Sequence, residues 1–266
     1  MSTPLSLTPL FQDSLARTGR MIVPSLPFGI LFVAASGGLV WAAGILPEGG
    51  AGFFAFVCVA FATLFAHSLF SASMYRAVLS YKGSLLGSAW TLTLAWMLVI
   101  VVAAIGGSII VLFFSLIGAS FGVASGEPGQ EITDMTAQMR DSGTFWPLFA
   151  VFVATLFGVF WFAVRLMLFA GASSVRNQVH VFRTWYWTKG HFRVLGPLMI
   201  ALIIVPIFLL AWLAQLIVAA TIGASDTSLQ MALSTALVSL VLLPSAWIGH
   251  GFAASVLDKL APSEPS

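Results

Sequence analysis

The chain has 266 residues, 59% of them hydrophobic and 8% charged, with a formal net charge of +2. Soluble domains average about 25% charged residues. These values exclude a soluble globular protein and predict a polytopic membrane protein, with no nucleic-acid partner. Cys58 is the single cysteine, which excludes an internal disulfide.

Residues 1–20 form a segment of their own. Leu10, Phe11 and Leu15 fall near helical spacing, with Asp13, Arg17 and Arg20 elsewhere. That pattern predicts a short amphipathic helix lying on the cytoplasmic surface. The apolar run from Met21 to Ile45 is too long for a signal-peptide core and reads as a retained first span.

Spans of about 20 apolar residues follow. The six are about Met21–Ile45, Ala51–Met74, Leu86–Ile117, Phe145–Ala170, Val194–Ile222 and Leu229–Val256. They make a membrane domain over residues 21–257, and residues 258–266 form a Pro/Ser-rich tail. The third run is long enough to be either one overlong helix or a hairpin broken at Gly106 and Gly107. Charge decides in favour of one helix. With a cytoplasmic N-terminus, ten of the eleven Lys and Arg then collect at the cytoplasmic side and only Arg140 lies outside. The outer loops hold Glu48, Glu127, Glu131, Asp134, Asp141 and Asp226. This is the positive-inside bias, and it predicts both termini in the cytoplasm of a bacterial inner membrane. At the outer end of the third run, Gly118, Gly122 and Gly126 repeat as small-xxx-small. That spacing suits a close packing face or a flexible outer loop.

Between the fourth and fifth spans lies SSVRNQVHVFRTWYWTKGHFR, Ser173 to Arg193. Arg176, Arg183, Lys189 and Arg193 alternate with Trp185, Tyr186 and Trp187, and the stretch contains no acid. Cations beside anionic headgroups and aromatic rings at the same depth predict an amphipathic helix over 174–189, lying along the inner leaflet. Gly190 is placed to end it. The expected fold is therefore all-α: a polytopic bundle of six transmembrane helices plus this inner-leaflet helix. The segment reads either as a topology anchor or as a docking surface for anionic lipid, a protein partner or a second copy.

The same residues carry a resemblance. VRLMLFAGASSV, followed by FRTWYWTKGHFRVLG, resembles the YciC-like and glycerophosphodiester-phosphodiesterase membrane-domain families. These have six spans, and after the fourth a pattern of roughly Arg-Leu, small and apolar residues, Ser-Trp, Thr-Arg-Gly and Phe-Trp-Arg. Arg165 and Leu166 match the first pair. Thr184 and Trp185 stand for Ser-Trp, Thr188, Lys189 and Gly190 for Thr-Arg-Gly, and Phe192 and Arg193 for the end. Arg176 and Asn177 depart from the family, which carries an acid in the loop there. The resemblance implies an inner-membrane envelope factor with no established reaction, and no phosphodiesterase domain accompanies it.

Three ionisable residues fall inside the spans. Arg165 is placed either to snorkel to the interface or to bind a phosphate or carboxylate from a cytoplasm-facing cavity. His67 sits amid Ser68, Ser71 and Ser73, and His250 lies near the end of the sixth span. No two candidate ligands share an i, i+4 face, so neither a metal site nor a cofactor is expected. Ser173 and Ser174, with His250, bring rhomboid proteases to mind by span number. The serines fall at the inner end of their span, however, and the other rhomboid motifs are missing. Pro24, Pro27, Pro197, Pro206 and Pro244 are expected to shape the spans.

Three functions compete at this point. The first is a non-catalytic factor binding lipid or a partner through Arg176, Arg183, Trp185, Trp187, Lys189 and Arg193. The second is a transporter or channel for a small or amphiphilic molecule with Arg165 on its path, although the spans hold almost no acid to couple it. The third is a membrane-embedded enzyme, which needs a nucleophile and a base within hydrogen-bond reach.

Overall fold

The computed structural model describes residues 5–79, 83–120, 140, 141, 143, 145–223 and 227–261, with backbone only over 117–120. The pattern of glycines at 118, 122 and 126 and most of the acidic outer loop lie outside the described residues. Among the described residues the chain is wholly helical, as a bilayer demands: with no water to bond exposed N–H and C=O groups, each segment must satisfy its own backbone. The helices are α1 (Leu7–Ile45), α2 (Gly50–Val78), α3 (Leu85–Ser120), α4 (Phe145–Leu166), α5 (Phe169–Arg176), α6 (Thr184–Trp187), α7 (Phe192–Met199), a π turn (Ile200–Ile204), α8 (Val205–Thr221) and α9 (Ser228–Leu260). α4 with α5, and α7 with α8, each make one span. Six segments are long and apolar enough to cross a membrane. The third is one uninterrupted helix through Gly106 and Gly107.

The chain divides into two compact units. The first holds residues 1–96 and 164–266, and the second holds Met97–Ala163. In the second, Phe114 of α3 meets Phe152 of α4 with ring centroids 6.4 Å apart, and Phe145 stacks on Phe149 at 6.0 Å. Most of its side chains are exposed aliphatic and aromatic groups, the surface that lipid solvates without cost.

The first unit is organised by α1 and α9, which run antiparallel. A Cβ at Gly44 would collide with Ser228. At Gly37 it would reach the Ala232 carbonyl at 3.0 Å and the Ala236 methyl at 3.1 Å. At Gly251 it would collide with Thr18 Oγ1 and come within 2.7 Å of the Ser14 carbonyl. Small residues thus line the seam and let the two backbones approach. Hydroxyls on this seam are buried because they bond their own helix. Ser14 donates to the Leu10 carbonyl at 2.6 Å and Ser25 to that of Met21 at 2.7 Å. Trp247 of α9 donates its indole N–H to Ser25 Oγ at 2.8 Å. Replacing Trp247 by Phe keeps the ring against Phe70 but removes this bond. A loss of about 1 kcal/mol is expected, the range for interhelical hydrogen bonds in lipid. Thermal unfolding in detergent measures it; an unchanged midpoint would mean the bond contributes nothing.

The lower half of α2 is the centre of the unit, with Ser68 to Tyr75 buried throughout. Phe70 meets Trp247 edge-on at 6.2 Å. Tyr75 lies against Gly171 of α5, where a Cβ would sit 2.9 Å from the phenol ring. At the end where α1 begins and α2 and α9 finish, Arg17 joins all three. Its Nε bonds Asp13 at 3.0 Å, one Nη bonds Asp258 of α9 at 2.6 Å, and the other donates to the Val78 carbonyl of α2 at 3.3 Å.

Two expectations are corrected. The N-terminal amphipathic segment is not a separate surface helix: α1 runs unbroken from Leu7, with Leu10, Ser14 and Met21 fully buried. The face that reads as amphipathic includes the one packed on α9. The helix expected over 174–189 is also replaced. α5 stops at Arg176 because Asn177 turns left-handed (φ 50°), and only Thr184–Trp187 is helical after it.

Candidate functional site

The crossover from 177 to 191 is held by the polar residues that make it look surface-bound. Asn177 Oδ1 accepts from Thr91 of α3 at 3.1 Å, and Ser88 of α3 donates to the Ser174 carbonyl at 2.7 Å. The His180 backbone N–H donates to Ser173 Oγ at 3.0 Å. Thr184 and Thr188 are fully buried, and Thr188 Oγ1 lies 3.2 Å from the Arg165 carbonyl. Gly190 then adopts φ 86°, open to glycine at no steric cost, and α7 begins. The loop is therefore a fixed platform on the first unit.

What this platform presents is basic and aromatic. Arg183, Lys189 and Arg193 are exposed. Phe182 and Tyr186 are exposed beside them, at 50% and 75%. Trp185 and Trp187 are half-buried, and each holds a guanidinium near its face. Arg165 lies 5.7 Å from the Trp185 ring centroid and Arg176 lies 4.7 Å from that of Trp187. Arg165 is 9% exposed, so it is covered rather than snorkelled. In the sequence no acid occurs between Asp141 and Asp226. Of the six residues expected at the docking surface, Arg183, Lys189 and Arg193 are exposed and Arg176, Trp185 and Trp187 are half-buried, with Arg176 packed on Trp187.

His67 and His250 lie elsewhere in the first unit, on one cavity of about 470 Å³ among α1, α2, α3, α5, α7, the π turn, α8 and α9. Arg165 does not line it. Nδ1 of His250 is 2.8 Å from the Ala246 carbonyl. A carbonyl only accepts, so Nδ1 carries the proton and Nε2 accepts from Ser71 Oγ at 3.0 Å. Sequence reasoning missed this serine–histidine pair, which joins residues 179 apart. The signal was the i, i+4 placement of Ser71 after His67, which puts both on one side of α2. Ser71 is fully buried, and the backbone N–H groups of the helix around it are spent on the helix. The pair orients His250. Ser173 and Ser174 are not its partners: Ser173 bonds His180. Among the described residues no three His, Cys, Asp or Glu side chains gather, and Cys58 is exposed.

The chain is thus a multi-pass membrane protein of six helical spans with a basic-aromatic crossover and an intramembrane cavity. No protein-family model, no curated protein and no solved structure matches it.

Proposed function

We propose that the protein is a non-catalytic factor of the bacterial inner membrane that binds anionic lipid through its basic-aromatic crossover. Its termini face the cytoplasm, and it would serve as an envelope factor of the kind the YciC-like resemblance implies. The observation that carries this reading is the exposure of Arg183, Lys189 and Arg193, with Phe182 and Tyr186, on a loop pinned by buried Thr184 and Thr188. A surface that only needed to anchor topology would have no use for a fixed shape. The orientation follows from the charge bias, and the Arg17–Asp258 bond keeps the start of α1 and the end of α9 on one side.

A basic residue near an anionic surface contributes about 1 kcal/mol. Changing Arg183, Lys189 and Arg193 to Gln together should therefore weaken binding by about two orders of magnitude. Native mass spectrometry of protein drawn gently from its own membranes tests this. Phosphatidylglycerol or cardiolipin should stay with the wild type and be lost from the variant. Equal retention in both would reduce the crossover to a topology anchor, and a retained protein chain lost in the variant would replace lipid as its partner.

A further inference from the structure

Among the described residues the walls of the cavity in the first unit hold no Lys, Arg, Asp or Glu. A phosphate or carboxylate placed there would be an unpaired charge at membrane depth, so the cavity selects uncharged ligands. Part of the lining is aromatic. The rings of Phe32 and His67 lie 5.0 Å apart, His67 and Trp96 5.4 Å, and Trp96 and Phe169 4.8 Å, tilted or edge-on to one another. This chain of ring contacts gives the cavity an aromatic wall against which a flat ring can pack. The lining also includes the aliphatic groups Met199, Ile203, Ile207 and Leu242. On α9 the lining extends from Ser239 to Ala253, 14 helical steps, or about 21 Å at 1.5 Å a step. The cavity is therefore long enough for a ring with a tail.

The polar groups specify the ring. His250 has both nitrogens engaged. His67 and the Tyr75 hydroxyl line the cavity, and neither side chain makes a hydrogen bond among the described residues. The indole N–H of Trp96 is buried and also has no acceptor among them. The Trp96 N–H can only donate, while the Tyr75 hydroxyl and the His67 ring can each donate as well as accept, and a buried donor without a partner is costly. A ligand carrying carbonyl oxygens supplies what is missing. We propose that this cavity is a binding site for a membrane quinone, its ring between His67 and Tyr75 against the aromatic wall and its isoprenoid tail along the π turn and α9. The proposal does not rest on the lipid reading of the crossover, which involves other residues.

Decylubiquinone is the probe, added to the full chain in phosphatidylcholine nanodiscs and followed by tryptophan fluorescence quenching. Saturable binding at one site per chain is expected. Three variants test the assignment. Tyr75→Phe removes only a hydroxyl without a hydrogen bond among the described residues, so the midpoint of thermal unfolding should hold while affinity falls about tenfold. His67→Phe should do the same. Gly249→Leu blocks the cavity sterically: a Cβ there meets only Ile203, at 3.6 Å, so the fold tolerates it while binding is lost. Palmitate, with a similar tail but a charged head, should not displace the probe. Quenching that rises linearly without saturation overturns the proposal. So does saturable binding that survives all three variants, or equal displacement by palmitate, which would mean that only the tail is read.

Discussion

Replacing Gly251 by Leu is expected to be the most damaging single change in the first unit, costing about 3 kcal/mol or more. Added volume in a packed interface is tolerated when a neighbouring side chain can rotate away. Here a Cβ already meets the Ser14 carbonyl at 2.7 Å and the Thr18 backbone nitrogen at 3.1 Å. Backbone atoms of a helix cannot rotate, so α1 and α9 must separate. Separation would also strain the Trp247–Ser25 bond and the contacts at Gly37, because all lie on the same seam. Gly249→Ala is the control on the same helix. Its Cβ has ordinary van der Waals room, and the helix gains from losing a glycine, so stability should be unchanged or rise by about 0.5 kcal/mol. Thermal unfolding of the two variants in one detergent decides the matter. Equal midpoints would show that the seam is looser than its distances say.

The second large effect is expected at Arg17. Its side chain is 11% exposed and reaches three elements at once. The bond to the Val78 carbonyl is charge-assisted and, if lost, leaves the end of α2 short of a donor. The bond to Asp258 is worth less, because that carboxylate is 56% exposed and screened by water and salt. Together Arg17→Ala should cost about 2 kcal/mol. A double-mutant cycle with Asp258→Ala separates the terms: a coupling below about 1 kcal/mol is expected for the ion pair, and the rest belongs to α2. If Arg17→Ala alone left the unfolding midpoint unmoved, the three-helix clamp would be a geometric coincidence.

The spans were legible because hydropathy and charge bias act over whole segments. The single-helix reading of residues 85–120 needed only the side on which the basic residues fall. What sequence hid was the role of small hydroxyl residues. Ser14, Thr184 and Thr188 fall in segments that read as surface helices, yet each bonds a carbonyl of its own segment and can then be buried. The separate N-terminal helix and the continuous inner-leaflet helix were both read from the spacing of apolar, aromatic and charged residues, which does not show this burial. Periodicity could not have found the stop at Arg176 either, because Asn177 turns on a tertiary bond to Thr91. The basic-aromatic residues of the crossover were found by composition, since charge is rare in this chain. The cavity was not legible beyond its two histidines. Its polar groups, His67, Tyr75 and Trp96, lie on two helices and are polar at only one or two atoms each, so no linear pattern groups them.

The seam between α1 and α9 also bears on how the protein is made. Arg17 and Asp258 are 241 residues apart, and Ser25 and Trp247 are 222 apart. A ribosome adds about 5–20 residues per second. α1 therefore waits on the order of ten seconds or more, with its row of serine and glycine facing lipid or another protein, before its partner exists. A chain stalled before α9 would hold an unmatched first helix, the state that membrane quality control recognises. Pulse labelling should show such stalled chains to be degraded far faster than the full-length protein.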